Sequence, residues 1–427
     1  MKIALIYAFE ESYWFSCTKI VKNLISSYEL ACADYELIKM NYNFDDKDFS
    51  LIGLVDELTS KRPDKIVVLD HRPHPITFIQ ALKRKSNDYN PDYYFHVYGD
   101  FTLHFPEWSV MGDLLNSKKV HFFCASDAQL ELVSNCVKED GVLISKIPFP
   151  VETKEFKFNK QQKKRLADQF DLDEKGLTFL YTGRFSSQKK IIELIETFSN
   201  AILTKKIEAN SYLLLAGSFD SIGFVFGGIY EAEGEFFRKY DRCINKLPEE
   251  VRKQIKVLGL IDNKKLKEIY NDVDYFVSLS TYHDEDYGMS IAEAGISGVP
   301  LLLSNWAGFK SFSLGDSTKY VETYLGDKYP LLCEESSAEL MNNLEVFSEE
   351  KRKEISLNFE KYCSVENIAE LLKEKLNLEI PNFKGFNEFH AMLSRTSSLG
   401  LQLFYDEYEK KLNSNYKKLY GVYASKN

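Results

Sequence analysis

Glu285 and Glu293, eight positions apart, bracket the stretch EDYGMSIAEAGISGVP at 285–300. A β-branched and aromatic run at 275–280 (YFVSLS) precedes it and reads as a buried strand. A polar loop follows at 281–286. Gly288 then opens a run of small and helix-forming residues that stops at Gly298, with Pro300 just beyond, so a helix is expected with both end signals in place. A strand, a loop and a helix N-terminus make an anion site, because the first backbone N–H groups of a helix have no intrahelical partner. Gly288 lets a ligand approach the backbone, and Ala292, Ala294 and Gly295 let the helix pack tightly. A ligand held at the helix tip would meet Glu285 at one end and Glu293 further along.

The pattern of E-x-aromatic-G inside E-x7-E, with a strand before it and G-x-P after, resembles the signature of the family 4 retaining glycosyltransferases, which have the GT-B fold. The resemblance implies that Glu285 faces a donor sugar and Glu293 binds the nucleotide ribose. It also implies that the backbone of Gly288, Met289 and Ser290 holds the distal phosphate, and it puts Tyr287 in the aromatic place. His283, two residues before Glu285, reads equally as a sugar contact or a loop cap. Upstream, the strand at 177–182 (LTFLYT) leads into GRFSSQKK, which resembles the family's G-R-[LF]-x-x-x-K-G with Lys190 in place of its second Gly. By that resemblance Gly183 belongs to the donor site, and Arg184 and Lys189 grip the donor diphosphate. Breaking a sugar–phosphate bond leaves extra negative charge on the diphosphate, which fixed cations and helix amides stabilise without a metal. The string IKVLGL at 255–260, with a helix starting after Asp262, resembles the part of the family that holds the base through backbone groups, here Leu260 and Ile261. Backbone reading leaves UDP and GDP both open.

These residues need a scaffold of alternating strands and helices. Apolar runs at 2–9, 35–40, 65–70, 93–98, 120–125 and 142–147 alternate with amphipathic stretches such as 18–26 and 75–83. That rhythm predicts a parallel sheet with helices on both faces. Ser126 followed by Gln129 is a capping-box pattern for the next helix. Ligands of such sheets sit outside the carboxyl ends of the strands. There the first half departs from the family: FEESYW stands where many members have a Gly-Gly loop. Tyr98, followed by Gly99 and Asp100, stands where many have a His; His96 fits only with a shift of register. His96 and Tyr98 share a strand face, so either is an acceptor-side candidate. His71 and His74 in DHRPHP are further candidates, without a third ligand that would suggest a metal. KIPFPVETKEF at 146–156 resembles the family's linker into the second domain. The connection at 218–237 is long for a loop. The aromatic-rich tail at 388–423 reads as an amphipathic helical pattern, with Leu401, Phe404, Tyr405, Tyr408, Leu412 and Tyr416 as its apolar face.

Composition sets the outer bounds. A chain of 427 residues suggests two domains. Hydrophobic content of 44% and charged content of 28% are those of a globular protein. No apolar run approaches the roughly 20 residues of a membrane span, and Glu10 and Glu11 make the N-terminus a first strand rather than a signal peptide. Seven scattered cysteines without a C-x-x-C pair suit a reducing, cytoplasmic compartment. A net charge of −10 without long basic runs excludes broad nucleic-acid binding. It leaves room for peripheral membrane contact through a local patch; Lys83–Arg84–Lys85 reads as a solvated helix end.

The expectation is therefore an α/β protein of GT-B type, two Rossmann-like domains with parallel sheets facing across a cleft and a C-terminal helical tail. The domains are expected at 1–150 (acceptor), 151–380 (nucleotide-sugar donor) and 381–427 (a tail crossing back or mediating contacts). The resemblance implies a retaining, metal-independent hexosyltransferase without a cofactor, acting on a glycan, lipid-linked or other acceptor. A Lys-, Asn- and Ile-rich composition fits a bacterium with AT-rich DNA, hence surface polysaccharide or lipopolysaccharide synthesis. The alternative is a non-catalytic GT-B subunit or binding protein acting through an oligomer or partner at the tail.

Overall fold

Strands whose two faces are both covered must be apolar throughout, and VHFFC at Val120–Cys124 is buried at every position. A computed structural model describes the chain except residues 9–14, 43–46, 70–74, 140, 228, 284 and 427, and the side chains of 15, 47–49, 75, 99 and 100. Two units emerge. One joins Met1–Glu152 to Tyr362–Leu403, and the other joins Thr153–Lys361 to Phe404–Asn427.

Among the described residues, the first unit carries a six-stranded sheet of β1 (Lys2–Tyr7), β2 (Glu36–Asn41), β3 (Lys65–Val68), β4 (Asp92–His96), β5 (Val120–Cys124) and β6 (Leu143–Lys146). The strands lie in the order β2-β1-β3-β4-β5-β6, every pair parallel. Leu5 is opposite Lys39 on one side and Val67 on the other. The winding reverses between β1 and β3, and a ligand crevice of this fold opens there. The loops leaving those strands contain residues 9–14 and 70–74, so FEESYW, His71 and His74 lie outside the described residues.

The second unit carries β7 (Thr178–Thr182), β8 (Tyr212–Ala216), β9 (Ile255–Gly259), β10 (Tyr275–Ser278), β11 (Leu301–Ser304) and β12 (Thr318–Val321). Their order is β12-β11-β10-β7-β8-β9, again parallel throughout. Read from β9, this is the dinucleotide-binding order, and its winding reverses between β7 and β10. The loops after β7 and β10 therefore meet at the binding end of the sheet. At the opposite end, where the strands start, Phe179 on β7 stacks on Tyr275 of β10 and meets Phe198 of helix Ile191–Leu203 edge-on.

The helix starts follow local chemistry. The Ser126 hydroxyl accepts from Gln129 N at 3.2 Å, while the Gln129 side chain accepts from Ala125 N at 2.6 Å. Asp262 caps the helix Asn263–Asp272 by accepting from Lys265 N at 2.9 Å.

The C-terminal third corrects the expected division at 380. Helix Val365–Leu376 packs on helix Phe15–Ala31 in the first unit, and Ser27 Oγ donates to Val365 O at 3.0 Å. Helix Glu388–Ser398 packs on helix Phe105–Leu114 of the same unit. The chain then returns at Phe404 to the second unit. There it forms a short hairpin, Tyr405–Asp406 with Lys411–Leu412, and a helix, Ser414–Tyr420. The tail is thus not one amphipathic helix. Phe404, Leu412 and Tyr416 are buried as expected, but Leu401 is exposed just after a helix end, and Tyr408 is fully exposed at 100% in the hairpin turn.

Candidate functional site

The two loops at the reversal point of the second sheet bring three expected residues together. β7 ends at Thr182, and Gly183 and Arg184 follow. β10 ends at Ser278, and Glu285 lies in the loop beyond it. Lys189 forms an ion pair with Glu285 across these loops. Ser280 Oγ donates to the same carboxylate oxygen of Glu285 at 2.7 Å. Tyr282 lies between the cations: Lys189 Nζ is 4.8 Å and the Arg184 guanidinium 6.0 Å from its ring centroid. Arg184 is also paired with Asp220, and its carbonyl accepts from the Tyr181 hydroxyl at 2.9 Å. The Tyr181 phenol is raised above its ordinary range, first by burial and second by the Glu285 charge.

The helix expected from Gly288 runs Met289–Ile296. Gly288 takes φ +119°, and no side chain caps the helix start. A β-carbon at Gly288 would fall 2.9 Å from Ile291 Cδ1 and 3.0 Å from Phe309 Cε1, so both backbone and space call for glycine. Met289 is buried and Ser290 half-buried. Glu293 is buried on the same helix. Burial drives the Tyr270 phenol well above its ordinary range, and the Glu293 charge adds to it. The Tyr270 hydroxyl shares a 3.1 Å hydrogen bond with Thr182, the last residue of β7. Tyr287 is buried, with its ring 5.0 Å from that of Phe312.

Lys190 keeps the backbone conformation that its family counterpart, glycine, would adopt, with φ +55° and ψ +38°. Its amine is 3.0 Å from Glu193 and lies 4.6 Å from the centre of the Tyr329 ring. The side chain thus offsets part of the left-handed cost. His283 is buried among aromatic rings, 4.1 Å from Phe226 and 4.6 Å from Tyr282. Leu260 is 78% exposed just after β9, and Ile261 is half-buried.

In the first unit the acceptor-side candidates separate. His96 is buried, its Nε2 2.9 Å from the Tyr28 hydroxyl and its ring 5.1 Å from Phe123. Burial pushes its pKa down to about 3, with His121 adding to the shift. It is a core residue of β4, which corrects its placement on an accessible face. Tyr98, beyond the strand end, is half-buried and stacks on Phe149 at 5.1 Å. Asp100 lies in the short 3-10 helix Gly99–Leu103.

Several neighbours of the site had no motif to mark them. The long 218–234 connection ties down the Arg184 loop through Asp220, through Gly223 O, which accepts from Gln188, and through Glu231, which accepts from Ser187. Trp306 Nε1 donates to Tyr282 O at 2.8 Å. Gly308 N donates to Glu285 O at 2.8 Å. Tyr423, four residues from the C-terminal end, donates to Asp286 Oδ1 at 2.8 Å. The length of the 218–237 connection, the stretch SNWAGFKSF that holds Trp306 and Gly308, and Ser280 at the end of an apolar run carried local signals; Tyr423 carried none.

Residues 162–321, which hold Arg184, Lys189, Glu285 and Glu293, match the family model of the glycosyl transferases group 1. No curated relative matches the sequence at a significant level. Solved structures match the fold across both units. HepE from Anabaena, solved with UDP, superposes with a TM-score of 0.62 at 13% identity, over 88% of this chain and 99% of that one. Sucrose-phosphate synthase from Thermosynechococcus elongatus gives 0.56 at 14%, over 88% and 98%. WaaG, a glycosyltransferase involved in lipopolysaccharide biosynthesis, gives 0.52 at 11%, over 89% and 100%. The expected GT-B fold is borne out. Among the described residues no helix is long and apolar enough to cross a membrane.

Proposed function

We propose, from the group 1 glycosyl transferase match of the second unit and the geometry of its binding end, that this chain is a retaining glycosyltransferase of family 4 type. Its donor is a nucleotide-diphosphate sugar. The observation that carries the reading is the convergence of Arg184, Lys189 and Glu285 around Tyr282, next to a helix start that no side chain caps. Two fixed cations and a helix N-terminus at one place suit a diphosphate. Lys189 has three donors, so its amine can hold Glu285 and a phosphate oxygen together. Glu285 then faces the sugar, and the buried Glu293 takes the ribose hydroxyls. The HepE structures contain UDP or UDP-glucose, which puts a uridine donor first and a guanosine donor second. The acceptor, a glycan or lipid-linked sugar of a surface polysaccharide, belongs to the first unit.

Chemistry at this site requires charge stabilisation and no metal. The bond from the anomeric carbon to the diphosphate breaks, and its electron pair goes to the phosphate oxygen. The acceptor oxygen bonds to the same face of the sugar and passes its proton to the leaving phosphate. Arg184, Lys189 and the Gly288–Ser290 amides hold the growing charge. Losing one such donor costs about 3 kcal/mol of transition-state stabilisation. The test is thermal stability with UDP, GDP and ADP, with and without EDTA, on the wild type and on Arg184→Ala. We expect UDP to raise the melting temperature, with no effect of EDTA and a much smaller rise in the variant. No rise with any nucleoside diphosphate would sink the donor-site reading.

A further inference from the structure

We propose that the C-terminal segment Phe404–Asn427 latches the donor loop, and that Tyr423 is a positioning residue for Glu285. The inference rests on the donor-site reading above and adds to it a residue far along the chain. The described residues of the loop between β10 and the motif helix have no regular structure of their own. The loop's shape must come from outside contacts. Trp306 Nε1 holds the Tyr282 carbonyl at 2.8 Å, and Gly308 N holds the Glu285 carbonyl at 2.8 Å. Tyr423 supplies a third hold. Its hydroxyl donates to Asp286 Oδ1 at 2.8 Å, one residue beyond Glu285, and its ring meets Trp306 edge-on at 5.8 Å. One buried side chain thus braces the loop at Asp286 and the residue that grips it at Tyr282.

Tyr423 is itself held on both sides. Lys310 Nζ donates to Val422 O at 2.9 Å and to Ala424 O at 2.7 Å, the carbonyls immediately before and after it. Ser425 Oγ accepts from Thr323 N at 2.7 Å, and Lys426 N donates to Thr323 O at 3.0 Å. Further back, Tyr420 packs against His283 and Phe404 against Phe226. The segment therefore registers on the second unit through main-chain grips, and its phenol reaches the loop at a fixed point. A carboxylate displaced by about 1 Å from its working position loses about 100-fold in rate. Arg184 comes from the other loop and is held there by Asp220, so its grip on the diphosphate does not pass through Tyr423.

The test uses the full-length Tyr423→Phe variant, which keeps the ring and removes the hydroxyl. Hydrogen exchange is followed at amides 281–288, UDP affinity by calorimetry, and UDP release from UDP-glucose by turnover. We expect exchange in that segment to rise about tenfold while the strands of the same sheet stay protected. Turnover should fall about tenfold or more, with UDP affinity changed less than about twofold. Asp286→Ala should behave alike, and the double variant should lose no more than either alone. Unchanged exchange would overturn the latch. A parallel fall in affinity and turnover, or additive losses in the double variant, would overturn positioning. If the wild type binds no nucleoside diphosphate, the donor-site reading fails; the exchange measurement still decides the latch on its own.

Discussion

At the scale of single residues, the site depends on where a β-carbon or a charge can stand. Gly308 shows this. A β-carbon there would lie 2.1 Å from Asp286 O and 2.4 Å from Tyr287 N, main-chain atoms of the donor loop. Gly308→Ala must push the loop away or shift its own turn. We expect a loss of about 2 kcal/mol of stability from overpacking, read as a lower melting temperature. A variant that melts like the wild type would show that the loop has slack. Lys190 makes the opposite point. A pattern that asks for glycine is met here by a lysine in the left-handed region, whose amine finds Glu193 and the Tyr329 ring. The backbone requirement survives while the residue type does not.

Secondary-structure elements were the most legible layer, because their signals are local. Ser126 and Gln129 mark a helix start, and the structure forms the Ser126 cap, while the Gln129 side chain reaches one residue past the N-cap to accept from Ala125 N. Ser126→Ala should cost about 1 kcal/mol, measured as faster exchange of amides at 127–131 with little change elsewhere. The motif helix likewise begins and ends within two residues of its glycine signals, at Met289 and Ile296. The tail is helical as expected, in two pieces, Glu388–Ser398 and Ser414–Tyr420. Its aromatic spacing resembles one helix face, yet a hairpin separates the pieces, since the contacts that organise it come from Phe224, Phe226 and Trp306.

At the scale of the molecule, acid should loosen the first unit. His96, His121 and His390 all lie there, and burial pushes each pKa down to about 3. Unfolded, each would titrate near about 6.5. Between those values the unfolded chain binds more protons, so stability is complete above pH 6.5 and falls as the pH drops toward 3. Each histidine contributes up to about 1.4 kcal/mol per pH unit in that window. Exchange protection of β3, β4 and β5, corrected for the intrinsic rate, should decline from pH 6.5 to pH 4.5; a flat profile would mean these rings accept protons without opening the core. The sequence by itself determined the alternating strands and helices, the GT-B class, the strand–loop–helix around Glu285 and Glu293, and the cationic loop at Arg184 and Lys189. The alternation and the strand–loop–helix follow from periodicity and end signals that span a few residues; the GT-B class and the cationic loop follow from the motifs' resemblance to a known family. Only the tertiary structure decided that His96 faces the core, that Tyr287 is buried, that 362–403 joins the first unit and that 404–427 returns to the second. The reason is physical: Tyr423 and Asp286 are 137 positions apart. A contact at that separation is chosen by how whole layers pack and close long loops, which no short window of residues encodes.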